Sequence, residues 1–553
     1  MTGDRHQLSQ FSDLLSFYAK RAGVSAPQIA AYCNMDRVTV YRFMKGKSLP
    51  KEKDTIFQFT EILRLTTREK GVLSEAYDLT RFGPHTYWER RYIRLFMRSF
   101  TGSYPLIPIL QYDLESQRQT CHETEVISGR EYTIGTIQQQ INLACKGKSR
   151  TIELIMRTSI SPVMDMLLSA GKQDKELQIT HLIPISRASV PESDAIARHA
   201  EQYLPEQCNL LLEHERGLHF YRDKAESIDG TDGIVFVEDD FCERSSNTSH
   251  GVTSELLQSF YKVICLCAEG FEYTPLFYYS DSQELNQFPL YSNLLVTQNS
   301  AVLFTDDLHD SILFTGAHNI TSFRRKFCNL AEGKPLLSYF YKDADSLIRN
   351  MSKLFTKRNR KQEDIEYYYT SLPCVIPILT NEIIQSHLRT EALQVNGDER
   401  DNRLLDNITQ YITAIQHKFA YPGNNQITFI TESGIRAFMK TGRVAEVPPE
   451  LYTPLTLEER KEILLKIANH PYFHVNIVKR ELSAPEGLLS IEVLNSKILF
   501  IEFYMERRGT CFIYINEPGI YLAFRNYFSN YPKEELFSEE ESKKMLRSIA
   551  AEY

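Results

Sequence analysis

VSAPQIAAYCNMDRVTVYRFMKGKSLP, residues 24–50, reads as two short helices joined by a sharp turn. Ser25 and Gln28 have the Ser-x-x-Gln spacing of a capping box, in which each side chain satisfies an orphan amide, so a helix is expected from Ala26. Ile29, Ala30 and Cys33 supply its apolar stripe at helical spacing. Asn34 tolerates the left-handed conformation that ends a helix. Asp36 is a good N-cap for a second helix only two residues later. A gap that short leaves no room for a loose loop, so the two helices are expected to cross steeply, as in a helix-turn-helix.

The second helix is expected from Arg37 to Lys45, closed by Gly46. Val40 and Phe43 point inward, and Arg37, Val38, Tyr41, Arg42 and Lys45 point outward. Arginine is the side chain that most often makes paired contacts to guanine O6 and N7 in the major groove. Val38 and Thr39 have the size to touch a thymine methyl, and Lys45 and Lys47 sit where phosphates pass and set register. A preceding helix over Gln10–Ala22 offers Leu14, Leu15, Tyr18 and Ala19 on one face and stops at Gly23. After Pro50, Ile56, Phe57, Phe59, Ile62 and Leu63 mark a fourth helix; Thr66 with Glu69, then Val72, Leu73 and Tyr77, mark a fifth.

Five helices with the turn between the second and third, and the segment RVTVYRFMKGKSLP, resemble the Cro and lambda-repressor-like (XRE-type) DNA-binding domain. The resemblance covers residues 1–80. It implies double-stranded DNA as partner, contacts from Ser25, Arg37, Val38, Thr39, Tyr41, Arg42, Lys45 and Lys47, and a homodimer reading two half-sites about one helical turn apart. The family often places Gln right after the Ser of the second helix; here that position is Ala26, and one expected contact is missing.

Charge agrees with this division. Residues 1–100 carry 17 basic and 10 acidic side chains, a net of +7, whereas the whole chain is −8, so residues 101–553 sum to −15. A basic end on an acidic body limits the electrostatic footprint to that end. No run of 18 apolar residues occurs and MTGDRHQLSQ has no apolar signal region, so a cytoplasmic protein without a membrane partner is expected. The close pair Cys265 and Cys267 lies in the apolar segment YKVICLCAEG and reads as core.

At 553 residues the chain is too long for one core. Arg81-Phe-Gly-Pro84 breaks the helical domain, and residues 81–104 hold a connecting amphipathic helix, YWERRYIRLFMRSF, with Trp88, Tyr92, Leu95 and Phe96 on one side and Arg90, Arg91, Arg94 and Arg98 mostly elsewhere. It is either a coupling or dimer helix or the first helix of the next core. Strands then alternate with helices over 105–356, where TIELIMRT, SPVMDMLLSA and LQITHLIPI form a β-α-β unit that favours a parallel pair. A second mixed α/β unit is expected over 362–553 after the basic linker Lys357–Lys361. Val302-Leu-Phe with Phe323-Arg-x-x-Phe327 matches Ile498-Leu-Phe with Phe524-Arg-x-x-Phe528, with a spacing about five residues longer that a hairpin loop would absorb. These leave a duplication open. The fold class expected is therefore multidomain α and α/β, a five-helix domain followed by two mixed α/β units. An acidic α/β body behind a helix-turn-helix resembles, in pattern only, the sensor domains of bacterial regulators, some of which have a phospholipase-D-like fold without the enzyme's residues.

Catalytic chemistry is not found. Gly147-Lys148-Ser149 ends like a phosphate loop, but Asn142 stands where the first glycine is required and TIQQQINLACK reads as helix, so no backbone amides cradle a phosphate. No His-x-Lys-Asp or His-Glu-x-x-His arrangement occurs, and Asp239-Asp240 and Asp306-Asp307 read as solvated turns. The expectation is a non-enzymatic transcriptional regulator with no cofactor and no metal, responding to a small-molecule or peptide signal. The rival readings are a protein-interaction scaffold and an enzyme with a DNA-targeting domain.

Overall fold

A computed structural model describes residues 9–51, 53–100, 123–186, 252–280, 291–341, 365–375, 378–389, 426–444, 452–470, 474–494, 498–505 and 509–553. The chain divides into two compact units, Met1–Arg91 with Ser186–Glu255, and Tyr92–Ile185 with Leu256–Tyr553. GIVFVED (233–239), whose sequence reads as a strand, Asp239-Asp240, His122 and the linker Lys357–Lys361 lie outside the described residues. No helix among the described residues is long and apolar enough to cross a membrane.

The first unit contains α1 (Ser9–Ala22), α2 (Ala26–Tyr32), α3 (Arg37–Met44), α4 (Lys53–Ile62) and α5 (Thr67–Phe82). Its ends follow local chemistry. Asn34 adopts φ 51° after α2, and Gly23 and Gly46 adopt φ 65° and 63° after α1 and α3. Arg64 takes the same left-handed conformation after α4, at φ 51°, although it is neither Gly nor Asn. Leu14, Leu15, Tyr18, Ile29, Val40, Phe43, Phe59, Leu73 and Tyr77 fill one core. Phe57 departs from expectation and is 44% exposed, because Ile56, Phe59, Thr60 and Leu63 already take the i, i+3, i+4, i+7 face.

At the start of α5, Thr66 Oγ1 accepts from the Glu69 amide (3.3 Å) and Glu69 Oε2 accepts from the Thr66 amide (2.8 Å). Arg21 on α1 pairs with the same carboxylate. The guanidinium, then the cap, holds Glu69 down to about 2. A carboxyl depressed on folding contributes stability that is complete above its ordinary value of 4.5 and is lost as pH falls toward 2. Glu69→Gln is expected to destabilise α1 and α5 by about 1 kcal/mol at pH 7. The difference from the parent should vanish near pH 2, as read from hydrogen exchange of those helices.

Helix α6 (Pro84–Arg98) starts three residues before the expected Tyr87, with Gly83 at φ 77° ending α5. Tyr92 and Phe96 are buried as the stripe predicts, and the side chain of Trp88 lies outside the described set. Arg90 and Arg91, expected off the apolar side, are also buried. Arg90 stacks over the Phe82 ring (4.7 Å), and Arg91 donates to Glu75 Oε1 (3.0 Å) and Tyr87 Oη (2.6 Å).

The second unit carries two seven-stranded sheets. The first is built from β1 (Thr124–Ser128), β2 (Thr151–Ile155), β3 (Gln178–Ser186), β4 (Glu272–Ser280), β5 (Asn293–Val296), β6 (Ala301–Phe304) and β7 (Asp310–Phe314), in the order β1-β7-β6-β5-β2-β3-β4. The second uses β8 (Ser338–Tyr341), β9 (Glu366–Thr370), β10 (Gln426–Thr431), β11 (His474–Val478), β12 (Ser490–Leu494), β13 (Ile498–Met505) and β14 (Gly509–Ile515), in the order β8-β14-β13-β12-β9-β10-β11. Adding seven to each strand number converts one order into the other. Directions agree too: β2–β3 and β9–β10 are parallel, and the runs β1-β7-β6-β5-β2 and β8-β14-β13-β12-β9 are antiparallel.

Helices occupy several of the same intervals in both sheets. In the first sheet α7 (Arg130–Lys146) and α8 (Ser161–Gln173) precede and follow β2, α9 (Val252–Ala268) precedes β4, and α10 (Ala317–Ala331) follows β7. In the second, α11 (Asn381–His387), α12 (Glu432–Thr441) and α13 (Leu457–Asn469) lie between β9 and β11; α14 (Pro518–Ser529) follows β14 and α15 (Glu539–Glu552) ends the chain. The two Phe-Arg-x-x-Phe segments therefore sit on α10 and α14, the helices after the seventh strand of each sheet. Leu303 packs with Ile320 and Phe327 of α10. Arg324 on α10 reaches Glu153 on β2 (3.2 Å) and the Thr297 carbonyl (2.8 Å), while Arg525 donates to Tyr521 Oη (2.8 Å). The five extra residues lie in longer strands, β13 and β14 having eight and seven residues against four and five in β6 and β7, and not in a hairpin loop. Residues 335–341 join the sheets: the Phe277 amide on β4 donates to the Pro335 carbonyl, the Leu337 amide donates to the Pro275 carbonyl on β4, and β8 pairs with β14.

Candidate nucleic-acid interface

Helix α3 is fixed at both ends. Asp36 Oδ2 accepts from the Thr39 amide (3.2 Å). At the other end the Lys47 amide reaches the Arg42 carbonyl (2.8 Å) and the Gly46 amide the Phe43 carbonyl (3.1 Å), the paired bonds of a Schellman close, which the left-handed Gly46 permits. Ser16 on α1 donates to the Met44 carbonyl (3.0 Å). Val40 and Phe43 are buried, and the Phe43 ring lies 6.2 Å from that of Phe59. The rotation of α3 about its axis is therefore set by packing.

That rotation turns Arg37, Val38, Tyr41, Arg42 and Lys45 outward together, as the sequence predicts, with Lys47 exposed just past the helix end. Val38 and Tyr41 are 64% and 50% exposed. Among the described residues, no hydrogen bond or ion pair engages the side chains of Arg37, Arg42, Lys45 or Lys47. Cations beneath this face are spent differently. Lys53, within the basic run from Arg37, is buried and paired with Asp78 (2.7 Å), so it is withdrawn from any footprint. No local signal marks that pairing, since Asp78 lies 25 residues away. Thr39 is half-buried at the margin of the face. Ser25 caps the start of α2, where its amide and hydroxyl both lie 2.8 Å from Gln28 Oε1, so its polar atoms serve the helix start.

Elsewhere, polar clusters serve the fold. Asp306 accepts from Ser292 (2.6 Å) and Asn293 (2.8 Å), and Asp307 accepts from the His309 amide (3.0 Å), which makes this acidic pair the frame of the β6–β7 turn. His181 is fully buried, bonded to Tyr273 Oη and to the Met156 carbonyl (both 2.8 Å), and burial lowers it to about 4, so it stays neutral. Lys262 on α9 lies 2.5 Å from Ser161 Oγ and 2.9 Å from Asp165, both on α8, and the trio stitches the two helices together. Burial pushes the Cys265 and Cys267 thiols up to about 12, in keeping with a core pair. Gly147 follows α7, and Ser149 is bonded to Gln298, so no phosphate loop forms there. No group of three or more His, Cys, Asp or Glu among the described residues is arranged to hold a metal ion.

No family model and no curated protein matches the chain. Among solved structures, the chain is similar to phosphatidylserine synthase from Haemophilus influenzae Rd KW20, at 10% identity and a TM-score of 0.21, over 78% of this chain and 93% of that one. It is also similar to polyphosphate kinase from Porphyromonas gingivalis, at 9% identity and a TM-score of 0.18, over 77% of this chain and 56% of that one. Both likenesses are too distant to define the fold or the chemistry of this chain.

Proposed function

We propose that the protein is a sequence-specific, DNA-binding transcriptional regulator in which α3 is the helix of a helix-turn-helix that enters the major groove. The observation that carries this reading is the outward face of α3: Arg37, Val38, Tyr41, Arg42 and Lys45 all exposed on a helix locked from behind, with its cations unengaged. Arg37 and Arg42 read bases, Val38, Thr39 and Tyr41 add groove contacts, and Lys45 and Lys47 hold phosphates. Ser25 acts through the start of α2. One module of this size contacts few bases, so the working form is a homodimer on an inverted repeat. The acidic α/β body receives a small-molecule or peptide signal.

The test is selection of genomic DNA fragments by the purified chain at about 150 mM salt. A shared inverted-repeat site is the expected result. Absence of any enriched site, with weak binding that ignores sequence, would favour a scaffold instead. Lys47→Ala is expected to weaken all sequences alike and to lower the salt slope of binding by about 1, measured by titration across a salt series.

A further inference from the structure

We infer that Val38 reads the C5-methyl group of a pyrimidine lying next to a guanine read by Arg42; this rests on α3 being the DNA-reading helix. At 100° per residue, Val38, Arg42 and Lys45 fall within roughly 60° of one another, so Val38 sits in the middle of the outward face. It is 64% exposed in the free chain. A β-branched residue there lowers helix propensity, and an exposed valine gives a phosphate nothing. Its place at the centre of a basic face matches a partner that offers an apolar group among polar ones. In the major groove that group is the thymine methyl, and 5-methylcytosine presents the same methyl at the same ring carbon. Thr39, the other side chain of suitable size, is half-buried at the margin with its amide held by Asp36. Arg42 lies one turn on from Val38, about 5–6 Å between Cβ atoms, so it addresses the adjacent base pair. The favoured step is thymine–guanine or methylated cytosine–guanine, with unmethylated cytosine–guanine weaker.

The experiment uses the full chain and the duplex recovered by genomic selection, with each thymine replaced singly by deoxyuridine. At the responsive step, cytosine is then introduced with and without its 5-methyl group. One buried methyl is worth about fourfold in affinity. One thymine per half-site is expected to show that loss on replacement, and methylated cytosine should recover it where plain cytosine does not. Val38→Ala should bind the thymine and deoxyuridine duplexes equally, and Val38→Thr, which keeps one methyl and the branching, should retain the preference. A specific site that tolerates deoxyuridine everywhere, or a Val38→Ala variant that still discriminates, overturns this assignment and leaves α3 as the reader. Recovery of no specific site overturns both.

Discussion

The double variant Arg37→Ala, Arg42→Ala is expected to lose specific DNA binding while keeping its fold. Each arginine paired to a guanine is worth about 1–3 kcal/mol of discrimination, so removing both costs roughly 2–6 kcal/mol. That is about 30-fold at the low end and beyond detection at the high end. Neither side chain bonds to the protein among the described residues, so the substitution removes nothing from the helical core. Both positions are exposed on a helix with alanine-tolerant geometry, and helix content should be unchanged or slightly higher. Titration of parent and variant on the selected duplex and on a scrambled one separates the two effects. Equal specific affinity in parent and variant would remove α3 from the role of reader.

Arg91→Ala is expected to produce the largest loss of stability in the helical unit. Glu75 is half-buried and bonded at 3.0 Å to the buried Arg91, with Asp78 and Lys53 beside it. Removing the guanidinium leaves a largely desolvated carboxylate short of its partner and costs up to about 3–5 kcal/mol, the value for a fully buried pair. Burial already pushes the Glu75 carboxyl above its ordinary range, and loss of the guanidinium pushes it further. A carboxyl raised on folding contributes stability that is fully present below its ordinary value of 4.5 and is lost as pH rises through the folded value. The variant should therefore be weakest at high pH and partly recover in mild acid. Hydrogen exchange across α5 in the full chain reads this directly. A defect that does not vary with pH would mean that Glu75 finds another cation when Arg91 is gone.

The helical end was legible because its instructions are local. Ser25 with Gln28, Asp36, Gly46 and Thr66 with Glu69 each act within a few residues, and each helix begins or ends where they stand. Strands whose burial depends on distant neighbours were not legible. β1, Thr-Glu-Val-Ile-Ser, pairs with β7, Ser128 and Asp310 being 182 positions apart, and Val126 on it remains 72% exposed. β9, Glu-Tyr-Tyr-Tyr-Thr, is buried at all five positions between β10 and β12, so it has no alternation to detect. The likeness of the two sheets was visible only as two short matches, because the equivalence lies in strand order, which sequence spacing does not express. On α6, charge suggested solvent for Arg90 and Arg91, whereas a ring face and a half-buried carboxylate claim them.

Each sheet pairs its first strand in sequence with its last: β1 waits for β7, and β8 waits for β14. On a ribosome adding about 5–20 residues per second, the roughly 170 residues between β8 and β14 take on the order of 10–35 s to emerge. During that interval β8 stays an open strand edge, with Tyr339 on it 42% exposed even after folding. The order of synthesis thus creates a period in which the nascent chain is open to mispairing with other chains, and its yield in a cell should depend on translation speed and chaperone supply more than its final stability would suggest.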